Sequence, residues 1–247
     1  MKEELHAKYV MVPEAGGTEI QAYLAEPTSE STRGGVVVIH HMPGFDRATK
    51  EITRRFAEIG FNAICPNLYW REAPDAAPDD AAALVRAKGG VPDAQLVNDV
   101  AAAAAYLRSL PTSNGNVGVI GYCSGGRQSV LAACNVDVQA VVDCYGAFVT
   151  GTPPDGFPLR VTNLVEQLPN LRAPLLGLFG AEDSYPSPEH VVELESLLTE
   201  WNKPHKIRTY EEAGHGFFAT DRPSYRVAAA NAGWIEIEQF FSDLLGV

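Results

Sequence analysis

Val117-Gly-Val-Ile-Gly-Tyr-Cys-Ser-Gly-Gly126 is the stretch on which the reading of this chain turns. Residues 117–120 are a short apolar run of the kind that forms a buried strand. Residues 127–133, beginning at Arg127, have the character of a helix start. Between them lies a glycine-bounded turn with the spacing G-x-C-x-G, so strand, tight turn and helix follow within a few residues. Such a turn holds its central residue in strained backbone geometry, and a side chain two positions away on either side would clash. Gly121 and Gly125 occupy those two places and Cys123 lies between them, which makes the thiol the candidate nucleophile. Ser124 is the alternative, but it would put Tyr122 where the turn needs a small residue.

Working outward, strands and helices alternate. Residues 36–39, Val-Val-Val-Ile, form a continuous β-branched run suited to a strand buried on both faces. Helical periodicity at 49–59 stops at Gly60, and 61–65 is the next strand. A long alanine-rich helix at 93–110 precedes the turn Thr112-Ser-Asn-Gly115 and the elbow strand. Strands are expected at 138–144, 175–179 and 205–210, helices at 187–201 and 223–245. Residues 8–12 and 19–25 read as a hairpin turning at Ala15-Gly-Gly17. The expected fold is α/β, one domain over residues 1–247, with a mostly parallel central sheet flanked by helices and an N-terminal antiparallel hairpin. Residues 73–83 and 150–158, rich in Pro, Ala, Asp or Gly, resist assignment and read as surface excursions of the kind that roof an active site.

Bulk composition narrows the classes. The 247 residues carry 31 acidic and 19 basic side chains, a net charge of −12, with 46% hydrophobic and 20% charged residues. An acidic chain repels phosphate backbones and anionic lipid, so neither nucleic acid nor a membrane surface is an expected partner. The first residues, Met1-Lys-Glu-Glu-Leu-His6, have no apolar run of the signal-peptide type, and a cytoplasmic location is the expectation. Cys65, Cys123, Cys134 and Cys144 form no C-x-x-C pair, so a structural zinc site and a thioredoxin-like centre are not expected. Cys65, Cys134 and Cys144 sit in apolar contexts and read as small buried hydrophobes.

A thiol at a helix N-terminus is helped toward thiolate, but it still needs a base and the base an orienting acid. In this architecture nucleophile, acid and histidine follow in that chain order. Glu211-Glu-Ala-Gly-His-Gly-Phe217 follows the last strand, and His215, flanked by glycines, is the base candidate. Gly180-Ala-Glu-Asp-Ser184 follows strand 175–179, where Glu182 and Asp183 compete as the acid. Similarity to the G-x-x-D loop of α/β hydrolases favours Asp183. His40-His-Met-Pro-Gly44 follows strand 36–39, and its backbone, at Met42, with that of Ser124 after the nucleophile, is the expected oxyanion hole. Adjacent histidines at a strand end point apart, so no metal site is expected there. One of His40 and His41 is expected to line the site and the other to pack beneath it.

Taken together, Gly121-Tyr-Cys-Ser-Gly-Gly126, Ala63-Ile-Cys-Pro-Asn-Leu-Tyr69, Ser113-Asn-Gly-Asn-Val-Gly118, Asp183 and Tyr210-Glu-Glu-Ala-Gly-His-Gly-Phe217 resemble the dienelactone hydrolases, the carboxymethylenebutenolidase family. The resemblance covers most of the chain. It implies an α/β-hydrolase fold, a Cys123–His215–Asp183 triad, no cofactor, and a small ester or enol-lactone substrate. Two positions depart from the family pattern. A family glutamate beside the thiol is matched by His41, which could take the thiol proton and leave an ion pair. The arginine expected just past the histidine is absent from Phe217-Phe-Ala-Thr220, leaving Arg86 and Arg127 as candidates to hold a substrate carboxylate. Tyr69, Trp70, Tyr145 and Phe217, with Phe218, are the candidate aromatic pocket. Competing readings are the same triad acting on small aryl esters or thioesters, and a non-catalytic binding member of the fold. A dinucleotide-binding protein is disfavoured, because no G-x-G-x-x-G follows the first parallel strand. Monomer and dimer are equally compatible with the sequence.

Overall fold

The structure, a computed structural model, describes residues 4–246. Eight strands form one sheet in the order β1-β2-β4-β3-β5-β6-β7-β8. β1 (Leu5–Pro13) and β2 (Glu19–Pro27) pair antiparallel as the hairpin, and β2 also runs antiparallel to β4 (Asn62–Pro66). From β4 onward through β3 (Arg33–Ile39), β5 (Ser113–Tyr122), β6 (Ala140–Cys144), β7 (Leu175–Gly180) and β8 (His205–Tyr210), every pairing is parallel.

The period of two in the strands sorts their side chains onto two cores. Val36 and Val38 face a layer containing Phe56 of α1 (Arg47–Glu58) and Trp234, Ile237 and Phe241 of α6 (Val227–Leu245). Val37 and Ile39 face the opposite layer. It is built from α2 (Pro78–Ala87), α3 (Asp93–Ser109), α4 (Ser124–Asn135) and α5 (Pro188–Glu200), with Leu96, Val100, Val130 and Leu194 among its contacts. Continuous apolar runs are needed because both faces of the parallel strands are covered. Phe56, Phe61 and Phe241 are fully buried, and removing one such ring from the core would cost about 3–5 kcal/mol.

The alternation expected from the sequence holds, and differences fall mainly at element ends. α1 starts two residues early because Asp46 caps it, accepting from the Thr49 N–H at 2.8 Å. α6 starts at Val227, and the turn at Pro223 lies outside it. Residues 73–83 differ more. The second half of that stretch is the start of α2, whose Pro78 occupies the first turn and whose Asp79 and Asp80 complement the helix dipole there. Residues 150–158 remain irregular. Among the described residues no helix is long and apolar enough to cross a membrane.

Candidate active site

The elbow is enforced by backbone. A Cβ on Gly121 would lie 1.8 Å from the Gly125 carbonyl oxygen, and one on Gly125 would lie 2.6 Å from that of Ile39. No side chain fits at either place. Cys123 is held between them at φ 57°, ψ −121°, as the residue that caps α4. Its N–H donates to the Cys144 carbonyl at 3.0 Å, tying the vertex to the next strand. Ser124 opens the helix, so its N–H has no carbonyl one turn back. Cys123 is the one cysteine not buried. Burial pushes the thiols of Cys65 and Cys144 up and that of Cys134 up to about 12, as expected of inert core residues.

The loops after β7 and β8 bring acid and histidine together. The Glu182 N–H donates to the Ala213 carbonyl at 2.8 Å, fastening one loop to the other. Asp183, 5% exposed, accepts the Tyr185 N–H through Oδ1 at 2.9 Å, and its Oδ2 lies 2.9 Å from His215 Nδ1. Nδ1 is therefore the protonated nitrogen, and Nε2 is left to face Cys123. Burial lowers the basicity of His215. Its hydrogen bonds to Asp183 and Cys123, with the charges on both, outweigh that and raise it to about 10. Tyr145 lies beneath the imidazole, ring centroids 5.2 Å apart. Glu182 lines the cavity, while Asp183 holds the histidine.

A cavity of about 580 Å³ opens over the thiol. Cys123, Asp183 and His215 lie in its wall, together with Met42, Ser124, Tyr69, Arg86 and Arg127. His41, Trp70, Tyr145 and Phe217 do not. Of the histidine pair, His40 reaches the cavity wall, and His41 does not pack beneath it. The His40 Nε2 accepts the Leu68 N–H at 3.2 Å and its Nδ1 meets the His41 carbonyl at 3.0 Å, which places the proton on Nδ1. Burial holds His40 down at about 4, so it stays neutral and clamps the loop after β4 against the loop after β3. The His41 imidazole is 3.1 Å from Asp46. Burial pushes the Asp46 carboxyl up, but His41 and the Thr49 N–H hold it down at about 2. That pairing turns His41 toward the start of α1 and off the cavity wall.

Arg127 is occupied. Its guanidinium donates to both carboxylate oxygens of Asp93 at 2.9 Å and to the Thr162 carbonyl at 2.8 and 3.1 Å. Trp70 packs at the edge of the core beside Tyr69, and Phe217 is fully buried, stacked on Phe218 at 4.6 Å. The aromatic side chains that do reach the cavity, besides Tyr69, are Phe148, Phe157 and Tyr185. All three lie on irregular loops, where periodicity carries no signal.

Residues 20–245 match the family described as the Dienelactone hydrolase family. A relative from Synechocystis sp., named "Putative carboxymethylenebutenolidase", is 30% identical over 98% of this chain and 98% of its own length. "Carboxymethylenebutenolidase 1" of Cupriavidus pinatubonensis is 29% identical over 95% of this chain and 97% of its own. The crystal structure of a "Putative Dienelactone Hydrolase" from Klebsiella pneumoniae superposes with a TM-score of 0.85 at 27% identity, covering 97% of this chain and 99% of that one.

Proposed function

The chain belongs to the dienelactone hydrolase family, whose members are ester and lactone hydrolases, and on that premise we propose that it acts through a covalent acyl-cysteine on Cys123. The observation that carries the reading is the alignment of the one accessible thiol with an imidazole fixed by Asp183 at 2.9 Å, at the floor of a cavity.

His215 Nε2 takes the thiol proton, and the ion pair so formed is favoured by Asp183 behind it and by the N-terminus of α4. The thiolate attacks the carbonyl carbon, and the electron pair of the C=O bond moves to oxygen. The N–H groups of Ser124 and Met42 receive that oxyanion. Collapse expels the alcohol oxygen, which takes the proton from His215. Water then gives a proton to His215 and its oxygen attacks the thioester, releasing the acid and restoring the thiol. A thiolate leaves a tetrahedral intermediate more readily than an ordinary alkoxide does. The forward path therefore favours esters with stabilised leaving groups: enol lactones such as dienelactone, and aryl esters.

Hydrolysis of p-nitrophenyl acetate and of cis- and trans-dienelactone by the wild type and by Cys123→Ala tests this. The wild type turns over at least one of them, and quenched samples gain the mass of the acyl group on the peptide carrying Cys123. Turnover that survives in Cys123→Ala, or after iodoacetamide treatment, would remove the thiol from the chemistry.

A further inference from the structure

Met42 lines the cavity, and among the described residues its N–H has no hydrogen-bond partner. A main-chain donor left free beside a nucleophile is open to a ligand. Where it points is set by the peptide plane it shares with the His41 carbonyl, because N–H and C=O lie on opposite edges of one trans amide.

Two contacts fix that plane. The first is made by His40, whose Nδ1 donates to the His41 carbonyl at 3.0 Å while its Nε2 accepts the Leu68 N–H at 3.2 Å. The ring is wedged in place. It is 1% exposed, it meets Tyr69 edge-on at 4.7 Å, and a Cβ on Gly44 would lie 3.1 Å from its Nδ1. The second contact is made by His41, whose Nε2 lies 3.1 Å from Asp46 Oδ2. The two oxygens of Asp46 have separate tasks. Oδ1 accepts the Thr49 N–H at 2.8 Å and the Thr49 hydroxyl at 2.9 Å, which caps α1, and Oδ2 is left for His41. A cap needs only one oxygen, so the helix does not require the imidazole. The Asp46 N–H also donates to the Gly44 carbonyl at 2.5 Å, closing the loop past Met42. Both ring nitrogens of His40 are therefore occupied, and His41 is turned off the cavity. Neither is placed to exchange a proton with the thiol.

We propose that His40 and His41 are positioning residues for the oxyanion hole. His40 sets the peptide plane so that the Met42 N–H faces the carbonyl oxygen of the bond that Cys123 attacks, and the His41–Asp46 pair keeps the loop from swinging away. A donor fixed before the charge develops needs no reorganisation when it does. The inference rests on the acyl-cysteine reading and deepens it, giving the histidine pair a task on the oxyanion and none on the thiol proton.

Two measurements test it. One is hydrolysis of p-nitrophenyl acetate. The other is binding of benzyl trifluoromethyl ketone, followed by fluorine NMR without turnover. The sulfur adds to the ketone carbon, the C=O electron pair moves to oxygen, and the thiol proton rests on His215, so the adduct carries the same oxyanion as the intermediate. His41→Ala and Asp46→Ser each lower kcat about tenfold with KM within about twofold, short of the hundredfold or more lost when an oxyanion donor is removed outright. Serine at 46 still caps α1 but is too short to reach His41. The double variant is no slower than either single one, because both break one contact. His40→Gln lowers kcat about thirtyfold, whereas His40→Asn, whose amide nitrogen takes the place of Nδ1, stays within about threefold of wild type. Affinity for the ketone falls by the same factors as kcat. Alkylation of Cys123 by iodoacetamide builds no oxyanion and keeps the wild-type rate within about twofold. Unchanged kcat in His41→Ala and Asp46→Ser, a change in KM alone, alkylation that slows together with kcat, or His40→Asn as slow as His40→Gln overturns the positioning role. If His40→Gln folds poorly by circular dichroism, His41→Ala and Asp46→Ser, both at partly exposed positions, decide the matter. Ester turnover or a ketone adduct that persists in Cys123→Ala would instead overturn the acyl-cysteine reading, and the positioning role would fall with it.

Discussion

Comparing Cys123→Ala with Cys123→Gly isolates the strain stored at the elbow. Both variants delete the sulfur and abolish thioester formation, so their difference reports only the Cβ. At an ordinary helical or strand position glycine is less stable than alanine by about 0.5–1 kcal/mol, because the unfolded chain has more freedom to lose. At φ 57°, ψ −121° the sign should invert. A non-glycine residue held in such a region costs about 1–3 kcal/mol. Subtracting glycine's entropic penalty leaves Cys123→Gly more stable than Cys123→Ala by about 0.5–2 kcal/mol. For a chain of this size each kcal/mol corresponds to a Tm difference of about 2–4 °C. Urea unfolding followed by circular dichroism, at constant m, gives the difference directly. An alanine variant equal to or more stable than the glycine variant would refute the reasoning. The nucleophile's conformation would then carry no stored strain, and the two flanking glycines would be needed for space alone.

Asp183→Asn should cut kcat by about a thousandfold, since triads lose orientation and charge when the acid is neutralised. The alkaline limb of kcat/KM, set near 10 by the raised His215, should move down toward an ordinary imidazole, and an unmoved limb would deny the coupling. Asp143 makes a separate prediction. Burial raises it to about 7 against the pull of the Gly146 N–H, and its Oδ2 has no partner. The folded state thus keeps a proton that the unfolded chain releases near pH 4, so stability falls as pH rises from about 4 to 7 and is level above. Asp143→Asn removes that slope, gaining on the order of 4 kcal/mol relative to wild type between pH 4 and pH 8; parallel pH profiles of urea stability in the two proteins would count against it. Arg127→Met should destabilise by about 2–4 kcal/mol through the lost charge-assisted bonds to Thr162 and Asp93. Amide hydrogen exchange across 157–164 should then speed up, and unchanged exchange there would mean that segment is held by other contacts.

The sequence placed the candidate triad residues that the structure brings together, but not the side chains that line the rest of the cavity, for a physical reason that particular residues make plain. Gly121 and Gly125 answer to a clash set within five residues, and Asp183 and His215 each follow a strand whose β-branched or apolar run can be read locally. Such requirements leave a spacing in the chain. Arg127 also has a plain place in that spacing, one turn past the nucleophile, yet its partners Asp93 and Thr162 lie 34 and 35 residues away. Its role follows from where α3 begins and where the chain passes at Thr162, and no local pattern specifies either. The same holds for His41, whose side chain is claimed by Asp46 because that aspartate had to cap α1. Aromatic content misled in the same way. Phe217 lies two residues past His215 and Tyr145 directly follows β6, but both are buried, Tyr145 against the His215 imidazole and Phe217 against Tyr145. Phe148, Phe157 and Tyr185 come from loops with no periodicity: Tyr185 is placed by its N–H on Asp183, and Phe157 lies beside the residues 160–164 that are tied to Gly89, Arg127 and Val149. The candidate triad is therefore written in short, backbone-limited motifs, while the rest of the cavity wall is set by tertiary contacts. Relatives that share the elbow and the Gly-His turn are expected to share a nucleophile without sharing a substrate.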